Sequence, residues 1–177
     1  MPERTNTSHA IIVMGVSGSG KSSIGEKLAE ALNLRFVEGD GLHPASNVEK
    51  MSKGIPLTDE DRMPWLDVIG ETIKAALASG EGIVVSCSAL KRIYRDRLRT
   101  AAGGSLFFVY LDGSRELLTR RMGERKGHFM PASLLDSQLQ TLEVPTGEPG
   151  VVTVDIDDTV EGIAEAARKK LAPLGIA

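Results

Sequence analysis

The stretch MGVSGSGKSS, residues 14–23, directly follows the apolar run AIIVM at 10–14. Gly15, Gly20, Lys21 and Ser22 satisfy the spacing G-x-x-x-x-G-K-[ST] in a strand–loop–helix setting. Glycine lets the backbone curl until successive N–H groups face inward, and the positive end of the following helix adds its pull on an anion. Gly15, Val16, Ser17, Gly18, Ser19, Gly20, Lys21, Ser22 and Ser23 therefore read as a phosphate cradle for a nucleoside triphosphate. Lys21 is expected to reach the β- and γ-phosphates, and the Ser22 hydroxyl to serve as a ligand of Mg²⁺.

Outward from this loop, apolar strand patterns at 10–14, 34–38, 82–88, 105–112 and 150–156 alternate with helical patterns at 22–32, 43–54, 58–80, 90–101, 115–127, 131–143 and 159–172. Thr58 with the acids after it marks a helix start, and Gly80 its end. Short continuous apolar strands separated by helices predict a three-layer α/β fold, a parallel sheet with helices on both faces. A length of 177 residues without internal repeats or a proline-rich linker is expected to form one domain.

Hydrophobic residues make up 41% and charged residues 25%, the range of folded globular chains. A net charge of -3 supplies no basic field for nucleic acid. The single cysteine, Cys87 in IVVSCSAL, excludes an intramolecular disulfide and a multi-cysteine metal site, and reads as a buried strand residue. The opening MPERTNTSH has no apolar signal core, and no apolar run nears the roughly 20 residues of a membrane span. The expectation is a soluble cytoplasmic protein with no membrane partner.

A GTPase switch would need an Asn/Thr-Lys-x-Asp motif, and NVEK at 47–50 is not one. DNA-handling ATPases need basic surfaces that this composition lacks. A small-molecule kinase is left, and it needs acids near the metal, an acceptor pocket and arginines over the transferred phosphoryl group. Glu38 and Asp40, at the C-terminal end of the second strand, lie where α/β sheets bind ligands and point the same way. One suits a Mg²⁺-bound water and the other the acceptor hydroxyl; ordinary loop acids are the plainer alternative. Arg121 and Arg125, four apart, share a helix face. They fit either a solvated surface or a lid whose guanidiniums close over the phosphates and exclude water. His43, Asn47, Arg62, Ser88, Lys91, Arg95, His128 and Gln138 are the remaining directional polar groups. Lys91 and Arg95, at i,i+4 spacing, suit an acceptor carboxylate or phosphate, and the amides and imidazoles suit hydroxyls. Taken singly, each also fits a surface role. Trp65 and Tyr94 could serve as sugar-stacking platforms, but at helical spacing with Leu66, Ile69 and Leu98 they read as core.

The segments MGVSGSGKS, GDGLHPASNVEKMSKGIPLTDEDRMPWL, CSALKRIYRDRLR, RKGHFMP and SQLQTLEVP together resemble the gluconokinases of the P-loop type, relatives of shikimate and nucleoside monophosphate kinases. The resemblance runs from about Ala10 to Ile163, and the stretch from Asp40 to Leu66 is its most specific part. It implies Mg²⁺-dependent transfer of the ATP γ-phosphoryl group to the 6-hydroxyl of D-gluconate. It also implies a five-stranded parallel sheet in the order 2-3-1-4-5, an acceptor-binding region near 40–66, a mobile helical lid near 120–142 and a homodimer. By the same resemblance Arg62 stands where shikimate kinases bind the acceptor carboxylate, and Asp40 where an acid meets the reacting hydroxyl. Adenine is expected near Arg121 and the DIDDT stretch at 155–159. Family members commonly carry Asp-Gly-Asp where this chain has Glu38-Gly39-Asp40.

Two other readings compete. A sister kinase for shikimate or a nucleoside monophosphate shares the loop and lid but leaves the His43–Asn47–Arg62 group without a purpose. A non-catalytic nucleotide sensor needs Lys21 and Ser22 but not Asp40 together with the lid arginines.

Overall fold

A computed structural model describes residues 9–16, 18–104, 106–124 and 132–176. The strands are β1 (Ala10–Met14), β2 (Arg35–Glu38), β3 (Ile83–Ser86), β4 (Leu106–Asp112) and β5 (Val151–Asp155). All neighbours are parallel, in the order β2-β3-β1-β4-β5, which is the order that the resemblance implies. Every residue of β1 is completely buried, so both faces of the sheet are covered at its centre.

The helices are α1 (Lys21–Leu32), α2 (Ala45–Ser52), α3 (Asp59–Ala78), α4 (Arg92–Ala101), α5 (Arg115–Glu124), α6 (Ala132–Thr141) and α7 (Val160–Leu171). α1 packs on α7, and α3 packs on α4. The pattern at 43–54 becomes the shorter α2, preceded by a 3-10 turn at Gly39–Leu42; Pro44, which has no N–H to continue a helix, sits at the N-cap of α2. α3 opens on a capping box: Asp61 N donates to the Thr58 hydroxyl while Thr58 N donates to the Asp61 carboxylate. Among the described residues no helix is long and apolar enough to cross a membrane.

Because the strands are parallel, their C-terminal ends gather at one edge of the sheet: Met14, Glu38, Ser86, Asp112 and Asp155. The loops leaving that edge carry the candidate site. Cys87, just past β3, is fully buried, and burial, with Asp40 nearby, pushes its thiol up to about 12. The burial is as expected, but β3 ends at Ser86 and leaves Cys87 outside the strand.

Candidate active site

The loop after β1 wraps into α1 through backbone that only glycine adopts easily. Gly18 has φ +85, and a Cβ there would lie 2.8 Å from both the Leu118 carbonyl oxygen and Met122 Cγ. Lys21 begins α1 and donates to the Val16 carbonyl at 3.3 Å, folding its chain back over the loop. α1 starts without a side-chain cap and without an acid in its first turn, whereas α3 and α7 are capped by Thr58 and Thr159. Ser19 is fully buried, and among the described residues its hydroxyl has no hydrogen-bond partner. Uncapped helix amides, a buried orphan hydroxyl and a lysine at one helix start fit a polyphosphate.

At the end of β2 the chain is pinned tightly. Ser86 Oγ donates to Glu38 Oε1 at 2.6 Å and accepts from Gly39 N at 3.2 Å. Trp65 Nε1 donates to the Gly39 carbonyl at 2.8 Å. These bonds hold the turn that presents Asp40. Among the described residues no group of three or more His, Cys, Asp or Glu could hold a metal ion by itself. Ser22, Glu38 and Asp40, the three residues expected at a metal, are all oxygen donors, the ligand type that Mg²⁺ takes.

Beside Asp40 lies a cleft of about 460 Å³, open solvent included, lined by Lys21, Asp40, His43, Arg62, Trp65, Ser88 and Gln138 together with apolar Met51, Pro56 and Leu57 and with Ser137. The imidazole of His43 stacks on Trp65, centroids 3.9 Å apart and planes 16° apart. Burial, and then the Arg62 charge, lower His43 to about 4, so it is neutral at physiological pH. Arg62 is 8% exposed and donates to the Tyr94 hydroxyl at 2.8 Å.

Three residues expected to bind the acceptor stand elsewhere. Asn47 is buried and supports the site from behind: its Nδ2 donates to the Asp61 carbonyl at 2.9 Å and lies 3.2 Å from His43 Nδ1. Lys91 precedes α4 rather than belonging to it, and pairs with Asp59 at 2.9 Å. Arg95 is fully buried with every N–H taken: Nε and one Nη on the Glu148 carboxylate, the others on the Ala89, Leu90 and Glu143 carbonyls. Its function is to fasten the loop before β5 to the start of α4. Ser17, Arg125 and His128 lie outside the described residues.

A second depression, lined by Gly18, Gly20, Ser23, Arg121, Asp158, Thr159 and Val160, opens on the other side of the loop. Arg121 donates to the Asp158 carbonyl at 3.1 Å, joining α5 to the turn after β5. Sequence reasoning passed over Asp59, Ser86, Ser137 and the Tyr94 hydroxyl. Asp59 and Tyr94 come from separate helices, and only their packing shows that they meet.

The family described as an AAA domain matches residues 11–145. The thermosensitive gluconokinase of Escherichia coli (strain K12) is 45% identical over 161 residues, covering 90% of this chain and 86% of that protein. The gluconokinase of Gluconobacter oxydans (strain 621H) is 51% identical over 146 residues, 81% of this chain and 80% of its own. The crystal structure of a gluconokinase from Sinorhizobium meliloti 1021 superposes with a TM-score of 0.86 at 57% identity, covering 95% of this chain and 94% of that one.

Proposed function

This chain belongs to the gluconokinase family, and from that premise we infer that it transfers the γ-phosphoryl group of ATP to gluconate, giving 6-phosphogluconate and ADP. The observation that carries the reading is one cleft uniting Lys21 of the phosphate loop, Asp40 and the buried cation Arg62. Among the described residues this buried guanidinium has no carboxylate partner, and such a charge calls for an anion from outside. The carboxylate of the sugar acid supplies it.

In this reading Gly15 to Ser23 hold the triphosphate, Lys21 follows the charge that builds on the β- and γ-oxygens, and Arg121 borders the nucleotide. Ser22, with Glu38 and Asp40, would hold Mg²⁺. When bound, the ion neutralises charge on the β- and γ-phosphates. Arg62 anchors the carboxylate end of D-gluconate, and neutral His43, Ser88 and Gln138 face its hydroxyls. The far end, the 6-hydroxyl, then meets Asp40, which orients it and takes up its proton as the new O–P bond forms. A loose transition state asks mainly for this positioning.

The reading treats residues 1–177 as one kinase domain, with the acceptor region at about 40–66 and a lid at about 120–142. It extends to a cytoplasmic homodimer, whose assembly sedimentation of the purified chain tests. ADP release with Mg²⁺-ATP and a panel of D-gluconate, its epimers, shikimate and AMP tests the chemistry. Turnover with D-gluconate is expected; turnover confined to shikimate or AMP would overturn the acceptor.

A further inference from the structure

Among the described residues two arginines are buried, Arg62 and Arg95, and their surroundings are opposite. Arg95 has all five N–H groups on protein oxygens, two of them on the Glu148 carboxylate. The Arg62 guanidinium makes one hydrogen bond among the described residues, to the neutral hydroxyl of Tyr94, and no ion pair. Yet Asp59 stands three residues before it on α3, a spacing at which a carboxylate and a guanidinium ordinarily pair.

Tyr94, reaching across from α4, occupies the place of that pair. Its hydroxyl accepts from Arg62 Nη1 and donates its own proton to Asp59 Oδ1. The same carboxylate oxygen takes Lys91 Nζ at 2.9 Å, so Asp59 has a cation of its own. The ring lies under the guanidinium, 5.2 Å from Arg62 Cζ to the centroid.

We propose that Tyr94 is a positioning residue for acceptor recognition, a neutral phenol wedged between Asp59 and Arg62 that holds the guanidinium in the cleft and keeps it from pairing with Asp59. The charge of Arg62 then stays available to the carboxylate of the incoming sugar acid. The inference rests on the reading of Arg62 as the carboxylate anchor. Burial, and then the bond to Asp59, raise the Tyr94 phenol above its ordinary value, so it keeps the proton it donates.

Tyr94→Phe tests this, because it keeps the buried ring and removes only the hydroxyl. The expected result is a KM for D-gluconate raised about tenfold, a loss of roughly 1.4 kcal/mol in acceptor binding, with kcat and the KM for ATP within about twofold. Adding Asp59→Asn removes the carboxylate that would now pair with Arg62, and most of the loss in gluconate KM should be recovered. A purely structural role for Tyr94 would lower the unfolding temperature and would not be reversed by Asp59→Asn. An unchanged gluconate KM in Tyr94→Phe, an equal loss toward ATP, or no recovery in the double variant would each overturn the proposal. Arg62→Ala separates this from the parent reading: if it leaves the gluconate KM untouched, Arg62 is not the anchor, whatever Tyr94 does.

Discussion

Arg95 grips Glu148 through two parallel hydrogen bonds of 2.9 and 2.6 Å, with the arginine side chain fully buried and the glutamate 7% exposed. Arg99 adds a third at 3.0 Å to the same carboxylate. Glu143 N donates to the Leu90 carbonyl at 2.7 Å beside it. One acid therefore fastens the segment leaving α6, the helix that brings Ser137 and Gln138 to the cleft, onto the start of α4.

Glu148→Ala should destabilise the fold by about 3–5 kcal/mol, because the fully buried Arg95 guanidinium loses its counter-charge, while Arg99 keeps Asp96 at 2.9 Å. Denaturant titration checks this, and a change under 1 kcal/mol would mean that water reaches the site. The pH dependence follows from the same contacts. Burial pushes the Glu148 carboxyl up, and the hydrogen bonds from Arg95 and Arg99 more than offset it, leaving it below the ordinary 4.5. Its stabilisation is thus fully present above pH 4.5 and is lost as pH falls through the lower folded value. The gap in stability between the wild type and Glu148→Ala should narrow in acid.

His43 is held in its neutral form, and its contribution too is lost in acid. Its pKa falls from 6.5 to about 4 on folding, so the unfolded chain binds the proton more tightly. The neutral ring's contribution is fully present above pH 6.5 and declines as pH falls toward 4. The unfolding temperature of His43→Gln, which cannot take a proton there, should fall less than that of the wild type between these limits. Parallel curves for the two proteins would show that the ring is solvated.

Gly39→Ala is expected to cost about 1–3 kcal/mol, since the new Cβ would meet the Ser86 carbonyl oxygen at 1.9 Å. β2 and β3 must part to admit it, and the turn holding Asp40 moves with them. A drop in turnover alongside the lost stability is the expected pairing. Full activity in a destabilised variant would uncouple the strand spacing from the placement of Asp40.

Asp40→Asn should lower kcat by roughly 10²–10⁴ while nucleotide binding, followed by fluorescence or calorimetry, stays near that of the wild type. The amide can still orient a hydroxyl but cannot take its proton. Near-normal turnover would reduce Asp40 to a bystander.

The sheet and the phosphate loop are legible in the chain because their causes are local. β1 needs only its own five apolar residues, and Gly18 its own positive φ. The candidate acceptor residues are legible only as chemistry. Lys91 and Arg95 look alike on paper, two cations four apart, yet one neutralises Asp59 and the other meets a glutamate 53 residues further on. Nothing near Arg95 in the sequence announces that glutamate. Tyr94 was readable as core, and its ring is core; the hydroxyl at the ring's far end, between two charges, is set by how α3 packs on α4.

The bare first turn of α1 has a consequence for the lifetime of the protein. Among the described residues the Ser19 hydroxyl has no partner and α1 has no side-chain cap, so a bound polyphosphate would serve as the missing end of the helix. Nucleotide at a hundred times its dissociation constant adds about 2.7 kcal/mol against unfolding. With nucleotide bound in this way, survival against proteases is expected to rise and fall with the supply of the phosphoryl donor.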